Sequence, residues 1–130
     1  MIAAERRVRV HVLVVDDDAR ARELLGLVLE SAGHTAHTAA TVAEAWASLR
    51  SSPPDLLLTD LRISSATDGL EFVADVRADP LLADLPIFAL TGVTSSADLA
   101  RARSAGVQLC LAKPVDVRQL LGELASVAAG

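Results

Sequence analysis

The aliphatic run "VLVV" at residues 12–15 leads directly into three consecutive aspartates, Asp16, Asp17 and Asp18. Like charges this close repel one another, and burying them without a partner is costly. The side chains must therefore spread into water or surround something positive. Clustered carboxylates on a rigid scaffold bind a hard divalent cation, and Mg²⁺ suits a site with few protein ligands, especially when phosphate completes its coordination.

Three later apolar runs also end in side chains that can do chemistry. These are Asp60, Thr91 followed by Gly92, and Lys113 followed by Pro114. A metal ion and a lysine beside a carboxylate indicate phosphoryl chemistry, because both neutralise charge on phosphoryl oxygens. A carboxylate can itself be the nucleophile and form an aspartyl phosphate. Asp60 stands alone at the end of its run, so we expect it to be that nucleophile.

The elements that must position these residues alternate between apolar runs and amphipathic stretches. We predict strands at 10–15, 34–39, 55–60, 87–91 and 107–112, each followed by a helix. Asp18 is expected to begin the first helix and Thr41 to cap the second, with Glu44 as its capping-box partner. Helical spacing places Leu24 and Val117 on buried faces. The pattern predicts a parallel sheet between helix layers, with ligands bound at the carboxyl ends of the strands.

Length and composition narrow the possible functions. The 130 residues fit one domain, and 52% are hydrophobic but only 2% aromatic, so the core must be aliphatic. A net charge of −5 without a basic stripe argues against direct nucleic-acid binding. No apolar run approaches the ~18–20 residues that span a bilayer, and the single cysteine, Cys110, suits a reducing compartment. We expect a cytoplasmic domain over 10–130 behind an N-terminal tail, 1–9.

The strand-end motifs, taken together, are more specific than any one alone. In order and spacing, "VLVVDDDAR", "PDLLLTDLR", "DGLEFV", "LPIFALTG" and "LAKPV" resemble the CheY-like receiver domain of two-component response regulators, over about residues 10–128. The resemblance implies an α/β fold: a doubly wound, five-stranded parallel sheet of the flavodoxin-like (βα)5 type, with strand order 2-1-3-4-5.

The same resemblance implies a metal site and a phosphoacceptor. Asp16 and Asp17 would hold Mg²⁺, together with Asp60 and the backbone carbonyl of Arg62. Asp60 would accept a phosphoryl group from the phosphohistidine of a histidine kinase or phosphotransfer protein.

Three further residues would contact the phosphoryl group. Thr91 would hydrogen-bond it and move on activation, the backbone N–H of Gly92 would contact it, and Lys113 would pair with one of its oxygens. Pro114 would shape the following turn, often through a cis bond in this family. Such a domain is a switch rather than a turnover enzyme. It would act on a downstream protein target, with no direct contact to nucleic acid or membrane, as a single-domain regulator or as a module of a larger protein such as a hybrid kinase.

The sequence departs from the family's usual pattern at three places. Ile63-Ser64 stand where a methionine–proline pair is common, and Asp68-Gly69 come one position late, so the loop after Asp60 is one residue longer. Cys110 occupies the position of the usual switch aromatic. Arg62 and Val93 occupy the two positions that, in the family, tune the lifetime of the phosphoryl group.

Three other functions share parts of the pattern, and two of them need a feature that this chain lacks. A receiver-like binding module that does not depend on phosphorylation fits the longer loop and Cys110. A magnesium phosphatase would need a second acid two residues after its nucleophile, where this chain has Arg62. A flavodoxin-like flavin protein would need a phosphate-binding loop after the first strand, and "DDDAR" would repel phosphate there.

Overall fold

The computed structural model describes residues 9–62, 69–92 and 95–129 of the chain. Residues 1–8 of the expected tail, the loop residues 63–68 and Val93 lie outside the described residues. Strands and helices alternate through the rest, as the sequence predicts. In chain order they are β1 His11–Val15, α1 Ala19–Ser31, β2 Thr35–Ala39, α2 Val42–Ser51, β3 Leu56–Asp60, α3 Gly69–Ala78, β4 Ile87–Thr91, α4 Ser96–Ala105, β5 Leu109–Ala112 and α5 Val117–Ala129.

The five strands form one parallel sheet in the order β2-β1-β3-β4-β5. β3 and β4 are buried along their whole length, and four of the five residues of β1 are buried. Continuous apolar runs are typical of parallel strands that are covered on both faces. The sequence-based fold class and strand order are confirmed.

Two hydrophobic clusters lie on opposite faces of the sheet. On one face, Leu13 and Leu57 pack with residues of α2, α3 and α4. On the other, Val14 and Leu58 pack with residues of α1 and α5. Each fully buried Leu or Val contributes about 1.5–3 kcal/mol of transfer free energy. The aliphatic core expected from the scarcity of aromatics is therefore built as two layers that hold the sheet between them.

Helix starts follow the predicted capping pattern. The Asp18 side chain accepts from the backbone N–H groups of Arg20 and Ala21 at the start of α1. At α2, Thr41 Oγ1 accepts from Glu44 N at 3.1 Å, and Glu44 Oε1 accepts in return from Ala40 N at 3.0 Å. These bonds satisfy backbone donors that have no partner within the helix.

Two residues expected on buried helix faces are exposed. Leu24 in α1 is 62% exposed and Val117 at the start of α5 is 42% exposed. In α1 the buried residues are Leu25 and Leu29. Since successive helical residues are about 100° apart, Leu24 lies to one side of that stripe. Within the described residues, no helix is both long enough and apolar enough to span a membrane.

Candidate functional site

The strand registers explain why the predicted residues meet. Parallel neighbours pair Val15 with Thr59, Asp60 with Leu90, and Thr91 with Ala112. Asp16 therefore lies level with Asp60, while Thr91 extends one position further and Lys113 two positions further. All four residues project from the carboxyl-end edge of the sheet, where parallel α/β sheets bind ligands.

The three consecutive aspartates have three different environments. Asp16 is buried, with 1% of its surface exposed. Asp17 is exposed, and Asp18 turns back to cap α1. The repulsion expected from the sequence is thereby reduced, because the Asp18 carboxylate is directed at backbone N–H groups and the helix dipole.

The Asp16 carboxylate has one satisfied oxygen and one that is not. Oδ1 accepts from the backbone N–H of Asp18 at 2.9 Å. Oδ2 is buried and, among the described residues, has no hydrogen-bond partner. Burial raises the pKa of Asp16 above its ordinary value, and the charge of Asp60 adds to the rise, while the Asp18 hydrogen bond and Lys113 oppose it. A buried acceptor without a donor is expensive, so this oxygen is suited to a cation.

Asp60 ends β3 and is 5% exposed. Its Oδ1 accepts from the backbone N–H of Arg62 at 2.8 Å. Its Oδ2 contacts the ammonium of Lys113. Lys113 follows β5 and is held at its backbone by donation to the Thr91 carbonyl at 3.0 Å. The carboxylate therefore sits between a backbone donor and a cation.

Three carboxylates form a compact group of oxygen ligands. One oxygen from each of Asp16, Asp17 and Asp60 lies within 4.8 Å of the others. Oxygen ligands in small number are what Mg²⁺ prefers. Together with the unpartnered buried Oδ2 of Asp16, this donor set fits a divalent cation.

The remaining predicted residues lie around this group. Thr91 ends β4 and is buried, and Gly92 follows it and is exposed. The Lys113–Pro114 bond is cis. Cys110 is a free, half-buried thiol in β5 beside Arg103 of α4, and burial raises the pKa of this thiol.

One residue near the acid group was not singled out by sequence reasoning. Arg22, in the first turn of α1, donates from Nη1 to the backbone carbonyl of Asp16 at 2.8 Å. Side chains of a helix tilt toward its N-terminus, so a long cation in this turn is directed back at the residues preceding the helix. This tilt is the feature from which the contact of Arg22 with the acidic turn could have been predicted.

Comparison with known proteins places these features in a family. Residues 12–125 match the response regulator receiver domain. The chain belongs to this family. The receiver is 31% identical over 116 residues to the phosphate regulon transcriptional regulatory protein PhoB of Pseudomonas aeruginosa. It is 36% identical over 110 residues to an uncharacterised 14.6 kDa protein of Leptolyngbya boryana.

Coverage of these relatives differs widely. The receiver match takes in 89% of this chain but only 50% of PhoB, and 85% of this chain with 83% of the Leptolyngbya protein. Among solved structures, the chemotaxis response regulator CheY4 of Vibrio cholerae superposes with a TM-score of 0.82 at 32% identity, covering 90% of this chain and 97% of that one. The chain is therefore a receiver domain of two-component signalling, which some relatives carry within longer proteins.

Proposed function

We propose that this receiver accepts a phosphoryl group on Asp60 from a histidine kinase or phosphotransfer protein. A carboxylate oxygen of Asp60 forms the new O–P bond as the P–N bond of the donor phosphohistidine breaks. The electron pair stays on the imidazole nitrogen, which then takes up a proton. The observation that carries the proposal is that Asp60 is contacted by Lys113 and shares a compact oxygen group with Asp16 and Asp17.

Mg²⁺ is the proposed cofactor. The carboxylates of Asp16, Asp17 and Asp60 would hold it, with the backbone carbonyl of Arg62 as a further ligand. Bound there, the ion would neutralise charge that develops on the phosphoryl oxygens. The raised pKa of Asp16 supports this assignment, because a cation would offset the cost of the buried negative charge.

Three groups would receive the phosphoryl oxygens on the side away from the acids. The Lys113 ammonium would exchange its Asp60 contact for a phosphoryl oxygen, and Thr91 and the N–H of Gly92 would donate to others. Phosphorylation adds about −1.5 to −2 charge units. The new charge would bias a two-state equilibrium in which Thr91 moves.

Helix α4 is where we expect the change to appear. Its buried residue is Ala102, and six of its ten residues are exposed. Elements with few buried apolar contacts open at low free energy. Because Cys110 replaces the usual aromatic, the response of α4 would proceed without a ring rotation.

The proposed output is binding to a downstream protein. We propose a switch rather than a turnover enzyme, acting in the cytoplasm without direct contact to nucleic acid or membrane. Residues 10–130 would form the receiver unit behind a tail over 1–9, either as a single-domain regulator or as a module of a larger protein such as a hybrid kinase.

Phosphorylation by acetyl phosphate with Mg²⁺, followed by intact-mass spectrometry, tests the proposal. The wild type should gain one phosphoryl group and Asp60→Asn should gain none. Asp75→Asn, an exposed acid on α3, is the matched control and should be modified like the wild type. An unmodified wild type would overturn the proposal in favour of a binding module that works without phosphorylation.

A further inference from the structure

The hydrogen-bonding groups of Asp16 are held from several directions. Its backbone N–H donates to the Ala39 carbonyl at 3.1 Å, and its Oδ1 accepts from Asp18 N at 2.9 Å. Its backbone carbonyl accepts from Arg22 Nη1 at 2.8 Å. The remaining group, Oδ2, is buried and has no hydrogen-bond partner among the described residues. Of these three partners, Arg22 alone contributes a side-chain atom, whereas the other two contribute backbone groups.

Arg22 is joined to the acidic turn at two points. Its backbone N–H donates to the Asp18 carbonyl at 3.0 Å, as the first helical bond of α1. Its half-buried side chain donates to the Asp16 carbonyl. The helix and the guanidinium therefore fix the two ends of the segment that carries all three aspartates.

We propose that Arg22 is a positioning residue for the divalent-cation site, a role that rests on the proposed function. Through the Asp16 carbonyl, its guanidinium fixes the turn so that the Asp16 carboxylate lies close to those of Asp17 and Asp60 before any ion binds. Outer partners that orient metal ligands commonly contribute strongly to affinity.

The charge of Arg22 and its hydrogen bond have opposite effects on cation binding. A positive charge near a cation site repels the ion, so removing the charge alone would strengthen binding. Removing a group that orients the ligands would weaken it. The direction of change in Mg²⁺ affinity on truncation therefore distinguishes positioning from a simple field effect.

The experiment titrates the full chain with Mg²⁺ alone and monitors binding through the amide chemical shifts. Arg22→Ala should bind about tenfold more weakly than the wild type, within the range typical for outer partners. Arg20→Ala, an exposed arginine of the same helical turn, removes the same charge and should bind equally well or slightly more tightly. Arg22→Lys keeps an N–H donor and the charge on a side chain one bond shorter, and should recover most of the loss.

The outcomes distinguish a failure of the positioning role of Arg22 from a failure of the metal assignment. If the wild type binds Mg²⁺ and Arg22→Ala binds as tightly or more tightly, the positioning role is wrong and the metal site stands. If the wild type binds no Mg²⁺, both the metal assignment and the positioning role fail. Should Arg22→Ala not fold by circular dichroism, Arg22→Gln and Arg22→Lys replace it. Glutamine is too short to reach the Asp16 carbonyl and should weaken binding, whereas lysine should keep most of the affinity. An Arg22→Gln variant that binds Mg²⁺ as tightly as the wild type or more tightly would contradict the role.

Discussion

The ammonium of Lys113 contacts Oδ2 of Asp60 although the two residues are 53 positions apart and their strands are not neighbours. β4 lies between β3 and β5, so the lysine reaches across the end of β4. The Asp60 side chain is 7% exposed and that of Lys113 38% exposed. The contact therefore joins a buried acid to a cation that remains partly in water.

Lys113→Ala should lower the free energy of unfolding of the metal-free protein by about 1–2 kcal/mol, less than for a fully buried pair because the lysine is partly solvated. The cost arises because Asp60 is left beside two other acids without its cation. Urea unfolding at low ionic strength measures it. In an Asp60→Asn background the same substitution should cost much less, and an unchanged cost would show that the pair does not contribute to stability.

Asp16→Asn should stabilise the metal-free protein at pH 7 by about 0.5–2 kcal/mol. Burial raises the pKa of Asp16 in the folded state above its ordinary 3.8, so the folded state favours the protonated carboxyl. This stabilising contribution is fully present below pH 3.8 and is lost as pH rises through the folded pKa. Asparagine has no charge to bury and keeps an oxygen for the Asp18 N–H.

Thermal unfolding with and without Mg²⁺ checks this prediction. The metal should raise the midpoint of the wild type by mass action and leave that of Asp16→Asn nearly unchanged. The advantage of the variant over the metal-free wild type should shrink as pH falls toward 4. A variant less stable than the wild type at pH 7 would contradict the account of Asp16.

The sequence predicted those parts of the site that depend on local pattern. An apolar run that stops at Asp16 or Asp60 marks a strand end, and parallel topology brings such ends to one edge. Asp18 and Thr41 were recognisable as caps because capping depends on residues two or three positions away. These features need no knowledge of distant contacts.

Features that depend on distant backbone groups were not predictable. Arg77 donates to the carbonyls of Ala83 at 3.0 Å and of Gly106 at 2.8 Å, tying the end of α3 to the turn before β5. Nothing in the sequence near position 77 indicates those acceptors. The exposure of Leu24 has a similar cause, because helical spacing does not show which side of α1 the sheet will cover.

Gly69→Ala should lower the free energy of unfolding by about 1–3 kcal/mol, as overpacking does. The backbone N–H of Gly69 donates to the Leu61 carbonyl at 3.1 Å, and a β-carbon at this buried position would overlap that carbonyl. Denaturant unfolding measures the change. Gly122→Ala in α5 is the control: a β-carbon there meets no atom within 4 Å, and alanine should stabilise the helix by about 0.5–1 kcal/mol.

His34 should make stability depend on pH just below neutrality. Its Nδ1 accepts from the backbone N–H of Val10 at 3.1 Å, so the ring must be unprotonated at this atom. Burial lowers the pKa of His34 below its ordinary 6.5. The unfolded chain therefore takes up a proton first, and the stability present above pH 6.5 is lost as pH falls through the folded pKa.

The thermal unfolding midpoint of the wild type should accordingly decrease as pH is lowered from about 7.5 to about 5.5. Most of that decrease should occur below the ordinary histidine pKa. His34→Gln, which keeps an acceptor but cannot take up a proton, should flatten that slope. His37→Gln alters an exposed histidine of β2 and should leave it unchanged. An equal slope in wild type and His34→Gln would mean that the bond to Val10 is not the source of the pH dependence.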